Sequence, residues 1–425
     1  MFGSILLLGG LLLAQAETKP AQADLEPQVR KLLRQLDAPQ LNQRDAAEEE
    51  LLKLGPAVLP HLPADATALS AEVAQRLARV RQKLQRAEAQ SAVQPSRVTL
   101  RGTMPLSKCL AAIGEQTGNK IVDVRREAAA NVPDPEVKAD FDKTPFWQAL
   151  DRVLDQAGLA VYPFGENHTV HVVLQPGEEG ARSKRAVYSG PFRFEPVSIL
   201  AERDLRNPAA RSLKLEVEVA WEPRLRPITL VQRLAELKAL DEAGKPLPTQ
   251  GGGAELEAPV PGGPIAQKLI VPLAPPPREV QRISRLSGVL NVVVPGPPET
   301  FRFKDLPKAK NDKRRAASVT VEVESVFQNN KLWEVVLLVA FDNPREALAS
   351  HRNWVFGNPA YLEGPDGKPV SYASIETMKQ TENEVGVGYL FDIPKPLAEY
   401  TFVYQTPTMI FSVPVPYEFK DIPLP

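Results

Sequence analysis

Apolar residues recur at helical spacing between residues 24 and 90, and at a spacing of two through most of the chain beyond residue 187. In the first stretch Leu25, Val29, Leu32, Leu33 and Leu36 predict one helix face, and Ala46, Ala47, Leu51, Leu52 and Leu54 a second, stopped by Gly55-Pro56. Ser70 is placed to cap a third helix carrying Val73, Leu77, Val80 and Leu84. Glu48, Glu49, Glu50, Arg76, Arg79 and Arg81 fall on the opposite side and read as a solvated surface.

The middle of the chain repeats itself at a constant offset of 40 residues. Pro105, Leu106, Leu110, Ile113, Gln116, Gly118 and Ile121 are answered by Pro145, Phe146, Leu150, Val153, Gln156, Gly158 and Val161. A short alternating strand precedes each copy, Val98 to Leu100 and Val137 to Phe141. Proline then opens a helix and glycine closes it, so the pattern predicts strand–helix–strand twice over, with both copies packed against one sheet. Leu106, Leu110, Ile113, Phe146, Leu150 and Val153 are its expected core.

Alternation takes over after residue 187: Leu213, Leu215, Val217, Val219 and Trp221 alternate with Lys214, Glu216, Glu218 and Ala220. That is a half-buried antiparallel strand. A second internal echo appears here. Val219-Ala220-Trp221-Glu222-Pro223 is matched by Val339-Ala340-Phe341-Asp342-Asn343-Pro344, Gly244-Lys245-Pro246 by Gly367-Lys368-Pro369, and Phe303-Lys304-Asp305 by Phe419-Lys420-Asp421. Offsets of 120, 123 and 116 residues predict two β-sandwiches of one kind, each closed by its own Phe-Lys-Asp strand. Trp221 and Phe341 should then point inward from equivalent central strands. Thr249 to Pro264 reads as a loop and Pro307 to Ala317 as the linker between sandwiches.

The expected fold class is therefore multi-domain α+β. Its domains are a small helical cap at 17–92, an α/β short domain at 96–175 and two tandem antiparallel β-sandwiches at 187–307 and 317–425. A chain of 425 residues suits several domains, and its 42 prolines favour short strands and turns. With 51 basic against 52 acidic residues, no overall field draws it to nucleic acid or anionic membrane.

Ile5 to Leu13 followed by Ala14-Gln15-Ala16 reads as an export signal cleaved after residue 16, although Met1 to Ser4 lack the usual basic residue. A buried N-terminal helix is the alternative. The expected localisation is periplasmic or extracellular, with no membrane insertion after cleavage. Cys109, the single cysteine, lies on the Leu106, Leu110 and Ile113 face and reads as a small buried hydrophobe, with no disulfide and no lipid anchor.

Two segments resemble known families. Arg44-Asp45-Ala46-Ala47 with Leu51, Leu54-Gly55-Pro56 and Leu59-Pro60 resembles a HEAT-type helical repeat. Val98-Thr-Leu-Arg-Gly-Thr-Met-Pro-Leu and Phe141-Asp-Lys-Thr-Pro-Phe-Trp-Gln-Ala-Leu-Asp, each leading into its helix and glycine, resemble the short N-terminal domain shared by secretins and TonB-dependent receptors. That resemblance covers residues 96–175 and implies docking onto partner proteins without catalysis.

Candidate chemistry is sparse. His168 and His171 stand three apart on an expected strand and so face opposite ways, and His61 and His351 are isolated. Asp241-Glu242-Ala243-Gly244 and Asp366-Gly367 offer too few oxygens for calcium and read as hairpin turns, and Gly386-Val-Gly388 is no dinucleotide fingerprint. The basic run from Lys304 through Lys308, Lys310, Lys313, Arg314 and Arg315 reads as a solvated linker, with contact to an anionic polymer as the alternative. Trp147, Trp221, Trp333 and Trp354 mark cores, or for Trp354 an exposed loop. No catalytic, cofactor-binding or metal residue is assigned and no cofactor is expected. The expectation is an exported, non-catalytic binding or scaffold protein of the envelope with a protein partner; a carbohydrate- or peptidoglycan-binding sandwich face is the alternative.

Overall fold

Helical spacing, glycine stops and alternation give the elements they predict, and the closing strands join them in a way that alternation does not reveal. The computed structural model describes residues 25–63, 69–128, 132–174, 185–207, 209–342, 344–348 and 352–425. The expected export signal and His351 lie outside the described residues. The chain divides into two compact units after Ala87.

The first unit is helical. Leu25–Gln35, Leu41–Lys53 and the helix beginning at Ala71 enclose Val29, Leu32, Leu36, Leu51, Val58, Val73, Leu77 and Val80. The Ser70 hydroxyl accepts the Val73 N–H at 3.4 Å, as a cap should. One face departs from expectation: Arg76 is buried rather than solvated. It bridges two helices through Asp45 at 2.8 Å and Glu48 at 3.0 Å, and also meets Glu72 at 3.1 Å. A guanidinium can be buried there because carboxylates on three sides satisfy its fork.

In the second unit the doubled α/β module holds two equal helices, Leu106–Thr117 and Phe146–Ala157. Gly118 and Gly158 end them at φ 68° and 64°, a conformation that only glycine adopts freely. The matched glutamines have matched work. Gln116 accepts the Thr99 N–H at 2.9 Å and Gln156 accepts the Lys138 N–H at 2.8 Å. The first helical N–H of each copy reaches the residue preceding the other copy's strand, Leu106 to the Pro135 carbonyl and Phe146 to that of Ser96, both at 2.9 Å. All six expected core residues are buried together. The single shared sheet is not found: Arg97–Pro105 pairs antiparallel with Glu136–Pro145, while Ile121–Asp123, Val170–Leu174 and Leu159–Tyr162 form a separate three-stranded sheet. Nor is the module's core its own, because it runs without a break into that of the first sandwich.

Two β-sandwiches follow. In the first, the sheet centred on Arg211–Trp221 and Phe192–Arg203 faces the sheet centred on Arg282–Pro295. In the second, the sheet centred on Leu332–Phe341 faces the sheet centred on Thr401–Pro407. Trp221 and Phe341 each end an inner strand of their own sheet and are both buried, as parity requires. Two segments expected to be irregular contain strands. Glu255–Pro259 pairs with Thr229–Arg233, and Asp312–Ala316 with Val319–Asn329. Lys313, Arg314 and Arg315 therefore stand on a strand, paired with Glu322, Asp312 and Asp342, and Arg314 lies over the Phe303 ring.

The closing strands exchange partners. Pro298–Phe303, expected to close the first sandwich, pairs with Thr401–Pro407 in the second; Ile410–Pro423, expected to close the second, pairs with Arg282–Pro295 in the first. The four strands make one antiparallel ribbon whose register never shifts, from Arg282 opposite Pro423 to Phe303 opposite Phe402. At the crossover the Gly296 N–H donates to the Met409 carbonyl at 2.9 Å and the Thr408 N–H to that of Pro297 at 3.3 Å. At about 3.4 Å per residue the ribbon runs roughly 70 Å along its contour through both sandwiches. The expectation of self-closed sandwiches is thus corrected. Lys304 and Lys420 face solvent as parity demands.

Candidate functional site: a cavity where three elements meet

Two buried polar joints fix the α/β module to the first sandwich. Glu222, immediately after Trp221, is fully buried. It accepts the Ser96 N–H at 2.9 Å, the Ser96 hydroxyl at 2.6 Å, the Asn119 amide at 3.2 Å and Arg224 Nε at 2.7 Å. Around Arg193 the pattern is inverted, a buried cation held by acids. Asp151 of the second module helix lies 2.9 Å away and Glu195 2.6 Å, while Tyr188 donates to Asp151 at 2.6 Å. Burial opposes the Arg193 charge, but the Asp151 and Glu195 carboxylates overcome it and hold the guanidinium protonated. Glu218 stands 3.8 Å from Arg193 and is nonetheless pushed up to about 7, because burial and the neighbouring Glu195 and Glu216 outweigh the cation. In sequence these residues look like ordinary polar positions of an alternating strand.

Beside these joints the module, the first sandwich and the second sandwich enclose a cavity of about 580 Å³. An adjoining pocket of about 380 Å³ shares Arg226, Pro295, Asn358 and Pro407 with it. Pro295 and Pro407 belong to the ribbon at its crossover, so the strand exchange itself builds one wall. His168 enters from the module on a turn in which Asn167 and His168 both take left-handed backbone, at φ 61° and 48°. That turn is tied down by the His168 N–H donating to the Gly263 carbonyl at 2.8 Å. Strain of this kind persists only where surrounding structure enforces it. Trp354 comes from the second sandwich, edge-on to Phe341 at 5.8 Å, with its indole N–H donated to the Ala347 carbonyl at 2.7 Å. Asn358 is held through its amide to Tyr404 at 2.8 Å and Thr406 at 3.0 Å.

The cavity's chemistry is one-sided. Arg226 bonds the Pro223 and Leu225 carbonyls and has no carboxylate partner among the described residues. Burial lowers its pKa, and burial together with Arg226 lowers that of His168. Trp221 Nε1 and His168 Nδ1 are buried without a hydrogen-bond partner. Among the described residues the lining includes no Asp, Glu, Ser, Thr, Cys or Lys; prolines, Ile228 and Val260 make most of the rest. Arg226 gives such a site a positive charge, and among the described residues its lining offers no nucleophile paired with a base.

The histidine expectation is partly overturned. His168 precedes the Val170–Leu174 strand instead of lying on it, while His171 does lie on it. Among the described residues no three His, Cys, Asp or Glu side chains come together as a metal site. Asp241 and Asp366 each accept backbone N–H groups of their own turns, which end on left-handed Gly244 and Gly367. Gly386 and Gly388 lie on a strand where Leu338 and Glu334 press close. Burial pushes the Cys109 thiol up to about 11, which keeps it an unreactive core residue. No helix among the described residues is long and apolar enough to cross a membrane. No protein family, curated protein or solved structure matches the chain.

Proposed function

We propose that this chain is an exported, non-catalytic binding protein of the cell envelope that works through protein–protein contacts, with the junction cavity as its recognition site. The observation that carries the reading is the cavity's lining: mostly apolar walls with Arg226 and His168, and among the described residues no nucleophile paired with that base. The doubled module's resemblance to the secretin and TonB-receptor short domain supports a docking role, and the HEAT-like helices support a second contact surface. The apolar run before Ala14-Gln15-Ala16 supports export. In this reading the two sandwiches are copies of one unit that have traded closing strands.

A photo-crosslinking residue placed at exposed Asn353, in the full chain mixed with envelope extract, tests the reading; Lys245, exposed on a distant hairpin, is the control position. A polypeptide adduct formed at 353 and not at 245 is expected. Adducts to glycan alone would favour the carbohydrate-binding alternative, which draws on partly exposed Trp354 in the same cavity. Equal labelling at both positions would sink the cavity as the recognition site.

A further inference from the structure

We infer that Glu218 is a proton switch for the seat of the α/β module on the first sandwich, holding the module firmly when neutral and loosening it when ionised. The switch does not depend on what the cavity binds. Two cations of the sandwich touch the module. Arg193 Nε lies 2.9 Å from Asp151 of the Phe146–Ala157 helix, which also accepts the Tyr188 hydroxyl at 2.6 Å. Lys268 Nζ stands 5.7 Å from the centre of the Phe164 ring. Glu218 sits between these cations on the Arg211–Trp221 strand. It pairs across the sheet with Lys268 on one side and with Glu195 on the other, and its Oε1 is 3.8 Å from Arg193 Nη1. From the helix come Asp151 and, one turn further and exposed, Asp155.

Both cations are already engaged at hydrogen-bond distance. Asp151 at 2.9 Å and Glu195 at 2.6 Å hold Arg193, and Glu216 at 2.7 Å holds Lys268. Glu218 is left without a cation that close among the described residues, with its side chain 15% exposed and Glu195 and Glu216 beside it. A carboxyl group so placed keeps its proton more readily than in water, because burial and like charges both favour the neutral form. Glu218 is accordingly pushed up to about 7, chiefly by burial and against the pull of Arg193. Once ionised, it competes with Asp151 for Arg193 and with the Phe164 ring for Lys268, two of the contacts that seat the module. The Glu222 joint and the shared apolar core do not involve Glu218, so the module stays attached while this side of it loosens.

Hydrogen exchange of the full chain at pH 6 and pH 8, corrected for the intrinsic rates, tests the switch. With Glu218 back at its ordinary 4.5 in the loosened state, protection of Phe146–Ala157 should fall about tenfold between the two conditions. The fall should persist unchanged in low urea, the mark of a local opening that exposes little surface. Glu218→Gln, permanently neutral, should keep at pH 8 the protection that the parent has at pH 6. Level protection in the parent would overturn the inference without recourse to a variant. Exchange of this helix with the urea dependence of global unfolding would overturn it too, leaving only an effect on overall stability. A fall that persists in Glu218→Gln would assign the proton to another group and overturn it equally.

Discussion

Phe303 and Phe419 stand in matching Phe-Lys-Asp segments, and each is buried in the sandwich opposite to the one its preceding strand builds. Phe303 follows Arg282–Pro295 of the first sandwich but packs beside Phe402 in the core of the second. Phe419 follows Thr401–Pro407 of the second but lies in the core of the first, next to Tyr417, which stacks on Phe194 at 4.8 Å. The exchange makes the sandwiches mutually dependent, since each lacks a strand until the other's chain has been made.

Crossed effects of core substitutions follow directly. Phe419→Ala should cost roughly 3–5 kcal/mol, the usual range for emptying an aromatic core site. The damage should appear in the first sandwich, some two hundred residues earlier in the chain. Hydrogen exchange resolved by peptide should show protection lost in Arg211–Trp221 for Phe419→Ala, and in Leu332–Phe341 for Phe303→Ala. Loss confined to the sandwich that precedes each phenylalanine in sequence would contradict the exchange.

The fused core of the module and the first sandwich makes a similar prediction. Val153 is fully buried, so Val153→Asp places a carboxylate without a partner in that core, at a cost of several kcal/mol. The variant should lose protection in Phe192–Arg203 as well as in the module. A variant that melts like the parent would show the core to be wrongly assigned.

At the other joint, Glu222→Ala removes the acceptor for Ser96, Asn119 and Arg224 together. Breaking a buried charged network by deleting one member costs roughly 3–5 kcal/mol. Glu222→Gln should recover part of this, because an amide oxygen still accepts. Chemical denaturation of the two variants and the parent measures the difference, and equal stability of all three would deny the joint its role.

Stability should also depend on pH through Glu218. Its folded-state pKa is raised from the ordinary 4.5 to about 7, chiefly by burial. The folded protein therefore binds more protons than the unfolded chain between these values. The contribution is fully present below pH 4.5 and is lost as pH rises through 7, a fall on the order of 1–3 kcal/mol. Melting between pH 5 and 8 should show the decline, and Glu218→Gln should flatten it. A parent profile that rises over this interval would reverse the assignment.

Much of the fold was legible because local patterns report local needs. Periodicity gave the helices, Gly118 and Gly158 their ends, and parity the inward side of Trp221 and Phe341. Alternation says which face of a strand is buried but not which sheet covers it, so Phe303 and Phe419 looked alike whichever core they entered. One clue to the exchange was present. Pro295-Gly296-Pro297-Pro298 and Pro407-Thr408-Met409 lack the Asn-Gly or Asp-Gly chemistry of a tight hairpin, and residues before proline favour extended backbone. The cavity was less readable. His168, Trp221, Arg226 and Trp354 come from three separate elements, and only the fold brings them together. Glu222 and Arg193 gave no signal, since their polar positions suit a solvated strand equally well.

The reciprocal ribbon is tested most directly by cysteine pairs. Thr300 faces Gln405 across the ribbon, whereas a hairpin closing the first sandwich on itself would set Thr300 against Val293. Strand neighbours lie about 4.5–5.5 Å apart between Cα atoms, within disulfide reach. Thr300→Cys combined with Gln405→Cys should oxidise to an intramolecular disulfide in the folded monomer, and Thr300→Cys with Val293→Cys should stay reduced. Ready oxidation of the second pair and not the first would contradict the exchange.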